Sequence, residues 1–329
     1  MKVGIIGCGS WGLALGRHIA NNGHDVTVWA FSKEEKECLN NTHTAKLLEG
    51  VSFPENLVAT NDLKDAASNK DIVLHVTPSA FAKNIFKNYY MYLKNTPVLI
   101  CTKGFDKEEK KTFYEIFSEY ISKENIAVLT GPTHAEEVSK DIISAMVVAS
   151  SKAEIVEKTL NIFDKKTIRL YESDDIIGTE LGGALKNIIA FCAGVLVPLE
   201  LGDNTFAALC TRGLVEMNRF STLYGGKDNT IYGLSGLGDL IVTCMSKHSR
   251  NRRAGILIGK GLKEQEVRKE IGMVIESFDN IETAKYLADV KKIDMPILDA
   301  SYDILFNNVT PMDAISKLMG RNLKKEFYE

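Results

Sequence analysis

Short apolar runs alternate with helix-like segments through the first half of the chain. The runs Val3–Ile6, Val26–Trp29, Ile72–Val76, Val98–Cys101, Ile126–Leu129 and Ala145–Ala149 have strand length and almost no polar interruption, as buried strands do. Ser32-x-x-Glu35 and Ser151-x-x-Glu154 read as capping boxes that open two of the intervening helices. Strands alternating with helices predict a parallel, doubly wound sheet. Thr77-Pro78 and Gly131-Pro132 close two of the strands, at the carboxyl edge where ligands bind in such sheets. The polar stretch Asn40–Glu49 reads as a surface loop or a short helix.

The pattern changes after Tyr171. Strand signals fade, and helical periodicity dominates at Ile176–Val197, Thr205–Tyr224, Arg253–Lys260, Lys263–Ile271, Ile281–Asp289, Ile297–Phe306 and Pro311–Leu318. A boundary near Asp174-Asp175 divides the chain into residues 1–174 and 175–329, with neither repeat nor low-complexity segment in either part. A chain of 329 residues has room for two domains of ordinary size.

The first strand runs into Gly7-Cys8-Gly9-Ser10-Trp11-Gly12, with a helical segment from Leu13 to Ala20 behind it. Gly7 permits the tight turn, Gly9 lets the backbone approach a pyrophosphate, and Gly12 lets helix and strand pack closely. The phosphates would sit at the helix N-terminus, where free N–H groups and the dipole favour anions. The expected fold is therefore α/β: an N-terminal Rossmann-type sheet that binds a dinucleotide, followed by an all-helical domain. An NAD site usually carries an acid about 20 residues beyond the glycines to hold the ribose 2′-OH. Here the second strand runs out through Ala30, Phe31, Ser32 and Lys33 with no acid before Glu34. Phe31 and Lys33 are counted with the cofactor site. The absence of an early carboxylate leans the cofactor towards NADP, with NAD or dual use open.

Composition narrows the class. Apolar residues make up 45% of the chain and charged residues 25%, an ordinary globular mix. A net charge of −3 and the lack of a basic tail argue against nucleic acid as partner. The apolar run Ile188–Leu199 is shorter than a bilayer of about 30 Å requires, so no membrane insertion is expected. The chain enters its first strand at once, without the regions of a signal peptide. Six cysteines without a C-x-x-C pair suggest reduced thiols in a cytoplasm. Cys8 stands at a helix N-terminus, which lowers a thiol pKa, but reads first as a small loop residue. No histidine spacing suits a metal.

Four constellations carry chemistry. In Glu180-Leu-Gly-Gly-Ala-Leu-Lys186-Asn187 and the apolar residues after it, hydrophobic side chains occupy every face of the helix, and Lys186 is the lone basic group. Burial strips such an amine of water and lowers its pKa, which suits it to proton transfer near neutral pH. The plainer alternative is a snorkelling lysine. Asn187 beside it, and Gly182-Gly183, which suggest a close neighbour, favour catalysis. Next, Gly236-Leu-Gly238-Asp239 delivers an acid ahead of the cluster Ser249-Arg250-Asn251-Arg252-Arg253. Arg250 suits a substrate phosphate gripped bidentately, with Ser249 and Asn251 adding hydrogen bonds. The plainer reading, a solvated charged face, is retained for Arg252 and Arg253. Third, Cys101-Thr-Lys103-Gly104 ends a strand at the expected crevice, where Lys103 meets substrate or cofactor. Fourth, the turn Thr130-Gly131-Pro132-Thr133-His134-Ala135 offers backbone N–H groups to a ligand, with His134 read as a packing residue.

These blocks, in this order and over nearly the whole chain, resemble the NAD(P)-dependent glycerol-3-phosphate dehydrogenases of the bacterial cytoplasmic type. The match includes Gly7-x-Gly-x-Trp11-Gly, Cys-Thr-Lys103-Gly, Gly131-Pro-Thr-His-Ala135, Leu-Lys186-Asn187, Gly236-Leu-Gly-Asp239-Leu and Ser249-Arg250-Asn251-Arg252. The resemblance implies reversible hydride transfer between NAD(P)H and dihydroxyacetone phosphate, giving sn-glycerol 3-phosphate as a phospholipid precursor. It implies that Ser10 and Trp11 contact the cofactor phosphates and Ala135 the cofactor. Lys103, Gly131 and Thr133 would line the substrate, with Lys186 as proton acceptor in the oxidation. Asp239, Ser249, Arg250 and Asn251 would hold the substrate, Arg250 also nearing the cofactor. Val274 and Glu276 would lie near the adenosine end. A homodimer is implied as well. Ser277 stands where the family often has glycine. The alternatives are a β-hydroxyacid or 6-phosphogluconate-type dehydrogenase and, in a different class, a redox-sensing module that binds cofactor without turnover.

Overall fold

A computed structural model of the chain describes residues 1–163, 166–323 and 325–326. The last positions of the expected second domain, 327–329, lie outside the described residues. Among the described residues ten strands form in chain order: β1 (Lys2–Ile6), β2 (Asp25–Trp29), β3 (Leu57–Thr60), β4 (Ile72–His75), β5 (Val98–Ile100), β6 (Phe105–Asp106), β7 (Lys111–Thr112), β8 (Ile126–Thr130), β9 (Ser144–Ser150) and β10 (Ile168–Ser173). Eight of them make one sheet in the order β10-β9-β8-β5-β4-β1-β2-β3, and β6 pairs with β7 in a separate ribbon. The central strands β1, β4, β5 and β8 are almost wholly buried, and helices pack both faces.

The sheet is parallel except at one junction. β9 runs antiparallel to β8, Thr130 opposite Val147 and Ala127 opposite Ser150. The connection between them carries only a four-residue helix, Ala135–Val138, where a parallel return needs a crossover of about a dozen residues or more. The chain therefore turns back at the carboxyl edge and leaves Gly131–Ala135 beside the glycine loop. Four strands have no apolar run to mark them: the ribbon strands β6 and β7, and β3 and β10 of the main sheet. The latter two are the edge strands of the sheet and are half exposed, with Arg169 and Glu172 exposed in β10. The capping box at Ser32 and Glu35 forms with both bonds present. The one expected at Ser151 does not form: the helix Ala153–Ile162 has Lys152 at its N-cap, whose N–H is taken by Ser150 Oγ.

After β10 the described chain is helical. The Ile176–Leu196 helix is the axis of this half and is buried along most of its length. By length and composition the Ile176–Leu199 stretch would cross a bilayer, at mean hydropathy 1.6, but 78% of its most apolar window is covered by protein. Its neighbours, then, and not a shortage of apolar residues, account for this segment. The Arg250–Gly259 helix crosses it at glycine: a Cβ on Gly255 would lie 2.0 Å from Phe191 O, and one on Gly194 would lie 2.0 Å from Arg252 O. We expect Gly255→Ala to cost about 1–3 kcal/mol by forcing these backbones apart, read as a lowered thermal midpoint. An unchanged midpoint would show that the crossing relaxes freely.

The two halves interlock. Phe105 of the ribbon belongs to the helical core. Asn280, on the Glu276–Lys291 helix, accepts from Phe105 N–H at 3.3 Å and donates to Ala184 O at 3.0 Å.

Candidate active site

The glycine loop forms as its sequence demands. Gly7 has φ +130°, and a Cβ there would press on Val76 O at 2.8 Å. A Cβ on Gly12 would lie 2.1 Å from Gly7 O, so this position serves helix–strand packing. A Cβ on Gly9 meets nothing within 4 Å. Gly9 is the N-cap of the Ser10–Asn21 helix and supplies no side-chain cap, so the first helical N–H groups remain available to an anion. The residues present fit a dinucleotide pyrophosphate. Cys8 does not gain thiolate character from this helix end, because burial pushes its thiol up to about 12.

Between the halves lies a cleft of about 420 Å³. Its walls include Gly9, Ser10, Trp11, Lys103, Thr133, Ala135, Lys186, Asn187, Ser249, Arg250, Asn251, Val274 and Glu276, thirteen of the positions singled out from the sequence. Gly7 and Gly12 sit behind the loop as packing positions. Gly131 is buried at φ +147°, and its carbonyl accepts from Lys103 Nζ at 3.2 Å. Phe31 is 85% exposed at the outer end of β2, with Lys33 exposed beside it, and neither lines the cleft.

Asp239 also stands apart from the walls. It is 1% exposed and is bonded to both lysines of the wall. Its Oδ1 accepts from Lys186 Nζ, and its Oδ2 accepts from Lys103 Nζ at 2.6 Å. Thr243, one helical turn further on, accepts from Lys186 Nζ at 2.8 Å and donates to Asp239 O at 2.6 Å. Sequence reasoning missed Thr243. It also read Asp239 as the end of a glycine turn, whereas Asp239 opens the Asp239–Met245 helix, and only the i, i+4 spacing of that helix brings the two together.

One carboxylate shared by two ammonium groups leaves a net positive charge in a dry place. Burial lowers the Lys186 pKa to about 8; Asp239 opposes that fall and Lys103 adds to it. For Asp239, burial pushes upward, but the two lysines outweigh it and hold the carboxyl below its usual value. Lys186 has three N–H donors and spends two on Asp239 and Thr243. It is 6% exposed and forms part of the cleft wall, so it does not snorkel to bulk solvent. The close neighbour foreseen at Gly182-Gly183 is backbone: a Cβ on Gly182 would meet Ser235 O at 2.7 Å.

The far wall comes from the Arg250–Gly259 helix. Ser249 is its N-cap and accepts from Arg252 N–H at 3.2 Å. Arg250, in the first turn, is exposed and donates to Val274 O at 3.0 Å. Asn251 donates to Asn187 Oδ1 at 2.8 Å and accepts from Ser277 N–H at 3.0 Å, which locks three helices together beneath the cleft. Ser277 is buried in the first turn of the Glu276–Lys291 helix. Glu276 accepts from Ser79 N–H at 3.2 Å and from Ser79 Oγ, across the two halves. Burial raises its carboxyl, with Ser79 opposing. His134 also lines the cleft, and burial lowers its pKa.

A dinucleotide-binding sheet that faces a helical half across a cleft, with a buried amine in the cleft wall, defines a nicotinamide-dependent oxidoreductase. Family models agree on which one. Residues 2–156 match the N-terminal part of NAD-dependent glycerol-3-phosphate dehydrogenase, and residues 175–316 match its C-terminal part. The chain belongs to that family. It is 41% identical to a glycerol-3-phosphate dehydrogenase (NAD(P)+) of Fusobacterium nucleatum, over 99% of this chain and 98% of that one. It is 42% identical to one from a Thermoanaerobacter species, over 100% and 99%. The crystal structure of glycerol-3-phosphate dehydrogenase from Coxiella burnetii superposes with TM-score 0.92 at 33% identity, covering 97% of this chain and 99% of that one. These relatives favour glycerol 3-phosphate over the β-hydroxyacid and 6-phosphogluconate alternatives.

Proposed function

We propose that the chain interconverts dihydroxyacetone phosphate and sn-glycerol 3-phosphate with NADP or NAD, residues 1–174 holding the cofactor and 175–329 the substrate. The observation that carries this reading is the position of Lys186: a water-starved amine in the cleft wall, held by Asp239 and Thr243. The nicotinamide ring, when bound, supplies or accepts the hydride at the substrate C2. Lys186, as ammonium, gives its proton to the oxygen on which charge develops in the reduction, and as free amine takes it back in the oxidation. Lys103 adds positive charge beside that oxygen. Asp239 fixes both amines that face the substrate. Gly131 and Thr133 lend polar groups from the β8 edge.

Arg250, Asn251, Asn187 and Ser249 anchor the phosphate and so fix the carbonyl for hydride transfer. Ser10, Trp11 and Ala135 hold the cofactor at the glycine loop, with Val274 and Glu276 on its far side. Phe31 and Lys33 reach the adenosine end, where no carboxylate precedes Glu34 to oppose a 2′-phosphate. The test is oxidation of NADH and of NADPH, each with dihydroxyacetone phosphate. Turnover with either supports the reading, and faster turnover with NADPH supports the lean towards NADP. Cofactor binding with no turnover would favour the sensing module. Arg250→Ala removes a charged hydrogen-bonding group worth about 1.5–3 kcal/mol, so KM for dihydroxyacetone phosphate should rise about 10- to 100-fold with a smaller change in kcat. A fall in kcat alone would move Arg250 from binding to chemistry.

We also propose a cytoplasmic homodimer without membrane insertion. Light scattering after gel filtration tests the assembly: a single species at twice the chain mass agrees, and a monomer at micromolar concentration does not.

A further inference from the structure

The chemistry above leaves one fully buried titratable group unused at the edge of the cleft. His75 is the last residue of β4, and both of its ring nitrogens have partners. Nδ1 lies 3.0 Å from the Tyr89 hydroxyl, and Nε2 lies 2.7 Å from Thr77 Oγ1. The ring packs against Phe86, Tyr89 and Phe117. Burial lowers its pKa to about 3, so the imidazole is neutral. A neutral imidazole donates from one nitrogen and accepts at the other.

Tyr89 decides which nitrogen donates. It is fully buried, and among the described residues His75 Nδ1 is the one hydrogen-bond partner of its hydroxyl. A phenol that accepted from Nδ1–H would leave its own O–H buried and unspent, at the cost of a desolvated donor. Tyr89 therefore donates to Nδ1, Nε2 carries the ring proton, and Nε2–H donates to Thr77 Oγ1. The Thr77 O–H hydrogen is then left without an acceptor among the described residues. Thr77 is itself a wall residue of the cleft.

Thr77 stands between two parts of the site already assigned. A Cβ on Gly7 would lie 3.3 Å from Thr77 N, so the residue backs onto the glycine loop. Its carbonyl accepts from Thr102 Oγ1 at 2.7 Å, and Thr102 directly precedes Lys103. The pyrophosphate belongs at the loop, and the reacting carbon belongs beside the lysines. The part of a dinucleotide that spans the two is the ribose carrying the nicotinamide.

We propose that the Thr77 hydroxyl binds the cofactor by donating its hydrogen to a hydroxyl oxygen of the nicotinamide ribose, and that Tyr89 and His75 are positioning residues that keep this hydrogen free. The proposal rests on the dinucleotide reading of the cleft and not on the role given to Lys186. No proton is transferred along the chain; the imidazole stays neutral and fixes the direction of each bond. With the opposite tautomer, Thr77 would spend its hydrogen on Nε2 and offer the cofactor an acceptor instead.

Two measurements on the full-length protein test this. Nitrogen-15 NMR of the histidine rings, with the His75 signals identified by their loss in His75→Gln, should show the proton on Nε2 across the neutral range. A proton on Nδ1 would overturn the positioning role. Titration calorimetry then gives Kd for NADH, NADPH and ADP. Thr77→Val should weaken NADH and NADPH alike, by about 3- to 10-fold, as loss of one neutral hydrogen bond does. ADP, which lacks the nicotinamide ribose, should bind as before. Thr77→Ser keeps the hydroxyl and should restore the original values. Unchanged binding of both dinucleotides by Thr77→Val, or no rescue by serine, would overturn the contact. An equal loss for ADP would overturn its assignment to the ribose. The NMR result does not depend on the valine variant folding. If the unaltered protein bound neither dinucleotide, the cofactor reading itself would fail, a result distinct from a silent Thr77→Val.

Discussion

Lys186→Ala should lower turnover by about 10²–10⁴-fold, the usual worth of a positioned acid–base group. The loss should fall on kcat and on kcat/KM alike, since the proton moves only in the transition state. Folding should survive: the side chain leaves an apolar helix, and Lys103 remains to pair with Asp239. Near-normal turnover would transfer the proton role elsewhere, with Lys103 and His134 the other candidates in the cleft wall.

Asp239→Asn should do damage of a different kind. Among the described residues, this carboxylate alone is ion-paired with both Lys103 and Lys186, and it is almost completely buried. With an amide in its place, two ammonium groups face each other with little water between them. Removing one partner of a buried ion pair costs about 3–5 kcal/mol, so the thermal midpoint should drop clearly. The pH profile should move as well. Asp239 is the influence that holds the Lys186 pKa up against burial, so its loss lets that pKa fall further below about 8. The ammonium form is then lost at lower pH, and reduction of dihydroxyacetone phosphate fades earlier as pH rises. A variant with lower stability but an unmoved profile would make Asp239 a packing residue only.

Much of this site could be read from residue types in order. Gly7 and Gly12 each do what their spacing implied, because a turn and a tight packing contact are local demands of the backbone. Lys186 was legible because one cation in an all-apolar helix has few explanations. What stayed hidden depends on orientation. Asp239 reads from the sequence as a substrate ligand; that it opens a helix and bonds both Lys103 and Lys186 was obscured by the glycines before it. Thr243 carried no signal until that helix placed it on the Lys186 side. The contact between Glu276 and Ser79 spans 197 residues and cannot be inferred from either neighbourhood. The edge strands β3 and β10 escaped notice because each is half exposed: β3 offers only three apolar residues in a row, and Arg169 and Glu172 interrupt β10.

The account's central claim is that one buried amine gives and takes the proton of this reaction. The direct test is kcat/KM against pH in both directions, since that ratio reports the groups of the free enzyme. Burial sets Lys186 to about 8. Below that value the amine is protonated, so reduction of dihydroxyacetone phosphate should be flat there and should fall as pH rises past it. Oxidation of glycerol 3-phosphate needs the free amine and should rise over the same range to a plateau. Opposite limbs that cross near that pH are the predicted result. Limbs of the same sign in both directions, or flat profiles across that range, would contradict the claim.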